Sequence, residues 1–412
     1  MNLFRKNFLS CLILIFTFFI TISNGATSIA PAGRSYSCSV INDNKLYVFG
    51  GDPFGIIGTP QTIYLDISLI GTPNPWYLLS DIPISVSAAN AVFNGNNTVF
   101  LIFFNTVYAY NISNNQWYPT GSNGIVPQTR TQATAVIDKS GKIWYFGGTN
   151  GTTRIYFNDI NSFDTSTYTW SFGSTLNVPT SRFSMISIML PNGEILYIGG
   201  VDGSTRSYIN MAQIPVYDTI SGSWSTMNAV GDNIQGRQLF TAVLAPDGNI
   251  IIYGGNNVIN SPIPTMATLN TNISPYTWTA NKTGQGAPQY ITGHVAAING
   301  THMIIALGAT SKNGTFELTN SSTLNSNLNY NIYALNIQTN VWSVNSTTPA
   351  LPTSIPSIPP TPSSNIGVIL GIIIAVVIVI FACVLVFAFC RKCKKDKNII
   401  PTPGSRDYQQ QR

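Results

Sequence analysis

The 412-residue sequence has little charge and almost no histidine. Only 8% of its residues are charged and 44% are hydrophobic, which argues against a soluble cytosolic enzyme. With two histidines, His294 and His302, the chain has no evident base for a hydrolytic triad. Phosphate-binding loops and clusters of metal-ligating residues are also missing from the sequence.

The central region of the chain, between the apolar segments at its two ends, has a single cysteine. Of the five cysteines, Cys11 lies in an N-terminal apolar segment, and Cys383, Cys390 and Cys393 lie in or beside a C-terminal one. The region between them therefore keeps only Cys38 and must be held together by its own core rather than by an intrachain disulfide. Cys390 and Cys393 are candidates for reversible palmitoylation at a membrane edge.

Apolar runs at the two ends predict export and membrane anchoring. Residues 1–25 have a basic start, an apolar stretch and small residues before position 26, as a signal peptide does. Residues 366–390 carry no charge over 25 positions, and about 20 suffice to cross a bilayer as a helix. The basic stretch RKCKKDK follows, which marks residues 391–412 as a cytoplasmic tail. We therefore expect a single-pass type I plasma-membrane protein with its N-terminal part outside.

The positive net charge of the chain comes from its predicted tail and not from the predicted extracellular part. The tail has seven basic and two acidic residues, whereas residues 26–365 have eleven basic and thirteen acidic ones. Nucleic-acid binding loses its support, because it requires a basic footprint on the folded part. The tail is expected to lie against anionic inner-leaflet lipids. Residues 346–365, STTPALPTSIPSIPPTPSSN, are rich in proline, serine and threonine and predict an extended stalk.

One pattern recurs along residues 26–345 with a period of about 52 residues. Its clearest element is the second strand of each unit, an apolar strand that ends in two glycines: KLYVFGG (45–51), KIWYFGG (142–148), EILYIGG (194–200) and NIIIYGG (249–255). TVFLIFFN (98–105) and HMIIALGA (302–309) are weaker copies. Each copy precedes a tryptophan, and these are Trp76, Trp117, Trp170, Trp224, Trp278 and Trp342.

Each unit predicts a four-stranded antiparallel sheet. In four units the first strand follows an arginine: Arg34, Arg130, Arg182 and Arg237. Asn192-Gly193, Asp247-Gly248 and Asn299-Gly300 are signals for two-residue hairpin turns. Asp66, Asp164 and Asp218 are expected to cap turns or to pair with the repeat arginines. The repeat glycines supply a backbone conformation or a close approach that a side chain would obstruct: Gly50, Gly51, Gly147, Gly148, Gly199, Gly200, Gly254, Gly255 and Gly308.

Such sheets must bury both faces, so six units are predicted to pack around an axis as an all-β, six-bladed β-propeller, with one transmembrane helix beyond it. The tryptophans would fill the wedges between blades. The order of arginine, hairpin, Gly-Gly strand, aromatic strand and tryptophan resembles the Kelch repeat of Kelch and galactose-oxidase-like propellers. The resemblance covers about 310 residues and implies a ligand platform, a substrate receptor or, more rarely, an enzyme.

The catalytic alternative implied by this resemblance is a copper-radical oxidase similar to galactose oxidase. That chemistry uses two histidines, two tyrosines and a cysteine cross-linked to one tyrosine. If Asn299-Gly300 is a two-residue turn, position 294 lies opposite position 305, and His294 and His302 point to opposite faces of their sheet. Cys38 reads as a small buried side chain. We therefore predict no catalytic residue, no metal and no cofactor.

A binding function remains, and strand alternation indicates its surface. The loops between the second and third strands, at 52–61, 149–158, 201–213, 256–268 and 309–329, lie on the face that also carries the connections between blades. Candidate contact residues in them are Arg154, Arg206, Tyr208, Lys312 and Phe316. The sequence thus predicts a non-catalytic module for an extracellular protein or glycan ligand, with a passive adhesion or wall-associated scaffold as a further alternative.

Nine Asn-x-Ser/Thr sequons are candidates for N-glycosylation if the chain is exported. They lie at Asn96, Asn111, Asn150, Asn272, Asn281, Asn299, Asn313, Asn320 and Asn345.

Overall fold

A computed structural model shows the chain as short β-strands joined by turns and loops. The structure describes residues 27–53, 58–73, 75–257, 261–311 and 328–346, which belong to one unit, Met1–Ala350. Within these ranges the helical structure is a single 3-10 turn, Ile67–Leu69, and no helix there has the length and apolar character to cross a bilayer. The predicted signal peptide, transmembrane segment and tail lie outside the described residues.

The strands form six blades that follow one another along the chain. Blade 1 comprises β1 (Thr27–Ile29), β2 (Cys38–Asn42), β3 (Lys45–Phe49), β4 (Thr62–Asp66) and β5 (Trp76–Leu78). Blade 2 comprises β6 (Asn90–Phe93), β7 (Thr98–Phe103), β8 (Thr106–Asn111) and β9 (Gln116–Pro119). Blade 3 comprises β10 (Asn123–Gly124), β11 (Thr134–Ile137), β12 (Lys142–Phe146), β13 (Thr149–Asn150), β14 (Ile155–Tyr156), β15 (Ile160–Asp164) and β16 (Thr169–Phe172).

The other three blades repeat this plan. Blade 4 comprises β17 (Arg182–Phe183), β18 (Ile186–Met189), β19 (Glu194–Ile198), β20 (Val201–Asp202), β21 (Gln213–Asp218) and β22 (Ser223–Asn228). Blade 5 comprises β23 (Val230–Gly231), β24 (Thr241–Leu244), β25 (Asn249–Tyr253), β26 (Met266–Asn270) and β27 (Thr277–Asn281). Blade 6 comprises β28 (Ile291–Thr292), β29 (Val295–Asn299), β30 (His302–Ala306), β31 (Ala309–Thr310), β32 (Ile332–Asn336) and β33 (Val341–Asn345).

Four antiparallel strands, here called A to D in chain order, form the body of each blade. Strands A are β2, β6, β11, β18, β24 and β29, and each contacts the strand A of the next blade, with β29 contacting β2, so the ring closes. Because the strands alternate in direction, the A–B and C–D turns meet on one face, which we call the turn face. The B–C loops and the connections between blades meet on the opposite one, the loop face. This confirms the predicted all-β, six-bladed propeller.

Two of the predicted hairpin turns are wrong in length. At Asn192-Gly193, Leu190 pairs with Glu194, so the loop is residues 191–193 and ends in Gly193 at φ 92°. The loop at Asp247-Gly248 likewise spans 246–248. In blade 6, Asn299 pairs with His302, so the turn is Gly300-Thr301. Residue 296, not 294, therefore lies opposite 305, although the two histidines remain on opposite faces of the sheet.

An apolar cluster fills each of the six seams between neighbouring blades. Each seam receives the tryptophan of one blade, and five of the six rings are buried: Trp76, Trp170, Trp224, Trp278 and Trp342. Trp117 is half-buried in the seam between blades 1 and 2. The seam between blades 6 and 1 joins Leu46 and Trp76 to Ile304 and Ile332. Face-to-face packing of the sheets therefore supplies the core that the missing disulfides do not.

The paired glycines after strand B hold neighbouring blades together. Both have positive φ in each full copy; Gly147 and Gly148, for example, have φ of 68° and 92°. The N–H of Gly148 donates to the carbonyl oxygen of Arg182 in the next blade at 2.9 Å. A Cβ on Gly147 would lie 2.6 Å from that same oxygen. Glycine is required here both by the left-handed backbone and by the approach of the next blade.

The repeat arginines are buried structural groups. Arg130 donates to the Gly147 carbonyl and forms an ion pair with Asp159 at 2.6 Å. Burial alone would raise the pKa of Asp159, but its hydrogen bonds and attraction to Arg130 outweigh burial and lower it. Arg34 and Arg237 donate to the equivalent carbonyls of Gly50 and Gly254. The aspartates expected to cap turns do so: Asp66, Asp164 and Asp218 each accept a backbone N–H two residues on.

Candidate functional site

An axial cavity opens where the inner strands begin. Each blade has one residue in the left-handed conformation just before its strand A, with φ between 54° and 59°. These residues are Tyr36, Ala88, Gln132, Ser184, Leu239 and Gly293. Backbone hydrogen bonds connect several of these residues around the axis; the N–H of Ala88 donates to Tyr36 and that of Ser184 to Gln132, both at 2.9 Å. They line a cavity of about 250 Å³.

The walls of this axial cavity are uncharged. Alanine, serine, threonine and apolar side chains dominate the described lining, together with Cys38, Asn90 and His294, and no aspartate, glutamate, lysine or arginine lies among them. Burial raises the pKa of the Cys38 thiol to about 12, so it is a poor nucleophile at neutral pH. The cavity can accept neutral polar groups by hydrogen bonding.

His294 is a packing residue rather than a base. It occupies the position that Met185 and Phe240 hold in blades 4 and 5, just before strand A. Its Nε2 lies 2.7 Å from Thr241 Oγ1, and burial lowers its pKa to about 3, which keeps the ring neutral. His302 is exposed on the turn face. Among the described residues, no three His, Cys, Asp or Glu side chains converge to hold a metal.

Two B–C loops on the loop face have the same sequence pattern and the same geometry. Residues 150–154 read NGTTR in blade 3, and residues 202–206 read DGSTR in blade 4. Asn150 Oδ1 accepts the N–H groups of Thr152 and Thr153. Asp202 Oδ1 accepts those of Ser204 and Thr205. In each loop the arginine that follows is left-handed, with φ of 56° at Arg154 and 63° at Arg206.

The two loops touch each other. A Cβ on Gly203 would lie 2.4 Å from the Cβ of Tyr156, so glycine allows the blade-4 loop to pack on the blade-3 loop. The Arg206 guanidinium lies over the rings of Tyr156 and Phe183, at 4.7 and 5.2 Å from their centroids. Those rings stack on each other at 5.5 Å. Contacts of this kind fix an exposed arginine at little entropic cost.

Blade 2 leaves a gap in the rim of the loop face. Its strands B and C are joined by the two-residue turn Phe104-Asn105, where blades 3 and 4 have loops of nine residues or more. The Phe104 side chain is 40% exposed. Ile155 and Leu176, on the next loop and connection, are 44% and 73% exposed. Phe104 and Ile155 thus lie on the B–C connections of neighbouring blades, and Leu176 lies on the connection from blade 3 to blade 4.

Charge differs between the two faces. Among the described residues, the turn face carries Lys45, Lys139 and Lys142 against seven carboxylates: Asp43, Asp66, Asp138, Asp164, Glu194, Asp218 and Asp247. The loop face carries six arginines and Lys282 against five carboxylates: Asp52, Asp81, Asp159, Asp202 and Asp232. The loop face is thus the basic side of a fold whose overall charge is close to neutral.

The structure places three of the five predicted contact residues on the loop face. Arg154 and Arg206 are exposed, and Tyr208 is half-buried next to Gly236. Lys312 and Phe316 lie outside the described residues, as do Asn313, Asn320, Cys390 and Cys393. Sequence reasoning missed the axial ring, because its six residues share a conformation but no residue type. It also missed that the two arginine loops are copies, which an alignment at an offset of 52 residues would have revealed.

Comparison with known proteins supports the same fold. The profile of the KLHDC2/KLHL20/DRC7 Kelch-repeats domain matches residues 91–255, from strand A of blade 2 to the glycine pair of blade 5. Kelch domain-containing protein 3 of Homo sapiens is 28% identical over 161 residues, 37% of this chain and 41% of that protein. The Rab9 effector protein with kelch motifs of Mus musculus is 25% identical over 170 residues, 40% of this chain and 43% of that protein.

An enzyme is also among the similar proteins. The N-(sulfonatooxy)prop-2-enimidothioate sulfolyase of Thlaspi arvense is 26% identical over 180 residues, which is 42% of this chain and 51% of the enzyme. The chain thus spans about half or less of the length of these relatives.

Proposed function

The chain forms a Kelch-repeat β-propeller, commonly a protein-interaction module, and we propose that it is a non-catalytic receptor that binds a protein ligand through its loop face. The observation that carries this proposal is the composition of that face. Exposed Phe104 and Ile155, on the B–C connections of blades 2 and 3, and Leu176, on the connection from blade 3 to blade 4, share this face with the two arginine loops. Apolar and arginine side chains together are typical of the cores of protein–protein interfaces.

The chemistry of the described residues supports binding rather than catalysis. Cys38 is held as a thiol, His294 is a neutral packing group, and the axial cavity between them is uncharged. An enzyme would be expected to place a perturbed acid, base or nucleophile within reach of a substrate.

We place this receptor at the cell surface, as a single-pass protein held by residues 366–390. Support comes from the uncharged 25-residue run, the basic residues after it and the N-terminal apolar segment. An epitope tag at the C-terminus should be reached by antibody only after intact cells are permeabilised, whereas surface biotinylation should label the propeller. Labelling of the C-terminal tag on intact cells would contradict this topology.

Site-directed photocross-linking of the full chain on cells tests the binding face. A photoreactive phenylalanine at Phe104, on the loop face, should capture a defined protein saturably. The matched control is the same group at Ile220, which is 84% exposed on the turn face and should capture nothing specific. Equal capture from both positions, or specific capture from Ile220 alone, would exclude the loop face.

An enzymatic role is the second candidate, and the similarity to the sulfolyase favours it. Turnover of N-(sulfonatooxy)prop-2-enimidothioate by the purified chain would support that role and contradict the proposed receptor. A protein ligand that is not altered by the chain would support the receptor.

A further inference from the structure

Of the six arginines among the described residues, Arg154 and Arg206 are the two that are not buried in the fold. The other four, Arg34, Arg130, Arg182 and Arg237, are at most 5% exposed and lie at the starts of blades. Arg154 and Arg206 are exposed, and the guanidinium group of neither makes a hydrogen bond or an ion pair with any described residue. Guanidinium groups that stay exposed and unpaired are available to a carboxylate.

Two features indicate that the positions of these arginines are specified. The loops NGTTR and DGSTR build the same Asx turn in adjacent blades and end in an arginine with positive φ. A left-handed backbone costs about 1 kcal/mol at a residue other than glycine. Arg206 also lies over the rings of Tyr156 and Phe183, which restrict where its charged group can go before any ligand arrives.

The nearby carboxylate does not neutralise the pair. Burial acts to raise the pKa of Asp202, but hydrogen bonds from Thr205, Thr180 and Ser204 outweigh it and lower that pKa. The Asp202 carboxylate is thus engaged in its own turn. Asp159 is paired with the buried Arg130. The turn face, with seven carboxylates against three lysines, would repel an anionic ligand, so an acidic ligand is directed to the loop face.

We propose that Arg154 and Arg206 form a binding site for an acidic segment of a partner protein, in which each guanidinium donates hydrogen bonds to one carboxylate. The inference rests on the proposed function, because it names the chemistry of the ligand at the same face. Carboxylates suit this site since each planar guanidinium can bind one in a bidentate manner, and the partly exposed Tyr156 ring provides apolar contact for the peptide.

The test is fluorescence anisotropy of labelled hexaglutamate with the purified full chain, with labelled hexaglutamine as the uncharged comparison. Hexaglutamate should bind more tightly, and its affinity should fall as salt is raised. Arg154→Gln and Arg206→Gln should each weaken binding about tenfold, the loss expected for a hydrogen bond to a charged group. Lys139→Gln, which removes one exposed charge from the turn face, should leave the affinity unchanged.

A second variant separates binding from folding. Arg154→Gly removes the guanidinium and at the same time relieves the left-handed backbone, so its thermal midpoint should not fall. Its hexaglutamate affinity should nevertheless drop as it does in Arg154→Gln. If hexaglutamate affinity is lost only in the variants whose thermal midpoint is lowered, the proposed site is wrong.

Further outcomes separate this inference from the receptor role. Equal binding of the two peptides would overturn it. Binding of a heparin oligosaccharide that depends on both arginines, without binding of hexaglutamate, would assign the site to sulfated glycans and also overturn it. If a partner is captured from Phe104 as strongly by the double arginine variant as by the wild type, the receptor role stands and the acidic segment is wrong. If hexaglutamate binds but no partner is captured, the receptor role fails.

Discussion

The N–H of Gly308 in blade 6 donates a 2.7 Å hydrogen bond to the carbonyl oxygen of Arg34 in blade 1. The same bond joins Gly51 to Val86, Gly148 to Arg182, Gly200 to Arg237 and Gly255 to Ile291. The seam between blades 6 and 1, which closes the ring, therefore has the same glycine N–H to carbonyl hydrogen bond as four of the other five seams. A propeller without disulfides depends on these backbone contacts as well as on its apolar seams.

Replacement of the first glycine of a pair should be costly. Gly147→Ala would put a Cβ 2.5 Å from Met185 Cε and 2.6 Å from the Arg182 carbonyl oxygen, at φ 68°. The backbone strain and the overpacking together should lower the free energy of unfolding by about 2–4 kcal/mol. Urea denaturation followed by tryptophan fluorescence measures this loss.

Gly95→Ala is the matched control, because Gly95 has φ 72° but open space around its Cβ position. It should lose only about 1 kcal/mol. Equal losses in the two variants would show that the conformation alone, and not the approach of the next blade, requires glycine.

The buried His294 should make the propeller sensitive to mild acid. Its pKa is about 3 in the fold against 6.5 in the unfolded chain, so between these values the unfolded state binds a proton that the folded state does not. Stability is therefore full above pH 6.5 and falls as the pH is lowered, by up to about 1.4 kcal/mol per pH unit. Thermal midpoints measured from pH 7.5 to 5 should decrease accordingly.

His294→Phe should flatten that dependence, since phenylalanine occupies the equivalent position, Phe240, in blade 5. Asp159 does not obscure this window, because its pKa lies below 3.8 and its stabilising effect is lost only at lower pH. His302→Gln, at the exposed first residue of β30, should keep the wild-type slope. A wild-type slope in His294→Phe would assign the acid sensitivity to other groups.

Truncation of a seam tryptophan should be among the most damaging single changes. Trp278 is 2% exposed between blades 4 and 5, and its Nε1 donates to the Met211 carbonyl oxygen at 2.9 Å. Trp278→Ala should cost about 3–5 kcal/mol through the cavity and the orphaned carbonyl. Trp117→Ala, at a half-buried ring, should cost clearly less in the same urea titration.

Two sequons on the turn face should differ in glycan occupancy if the chain is exported. Asn96 is exposed at the A–B turn of blade 2, and its side-chain amide donates to no described residue. Asn299 is half-buried, and its Nδ2 donates to Asn44 Oδ1 at 2.9 Å across the seam between blades 6 and 1. Mass spectrometry after enzymatic deglycosylation should find Asn96 modified and Asn299 free; the reverse pattern would contradict this reading.

The repeat could be read from the sequence because the features that recur are chemical. Paired glycines, an arginine and a tryptophan recur at nearly fixed intervals, and each has a single mechanical role in the blade. The turn lengths were harder, since Asn-Gly suits two different hairpins; Pro191 at the first loop position and the pairing of Leu190 with Glu194 decide for the longer one.

The candidate site was only partly visible because binding surfaces depend on which loops become neighbours. Arg154 and Arg206 could be chosen singly as loop residues. Their common turn, the stacking of Arg206 on Tyr156 and the lack of a carboxylate partner are properties of adjacent blades in space. The shortness of the blade-2 turn could be read only once Phe103 was seen to pair with Thr106.

Every described blade is encoded by one continuous stretch of chain. Blade 1 takes all its strands from residues 27–78 and blade 6 from residues 291–345, and no described strand is exchanged between them. The unit of sequence and the structural unit therefore coincide. A circular permutant that starts at another blade would keep all six sheets intact, and duplication of one unit would change the size of the ring without dividing a sheet.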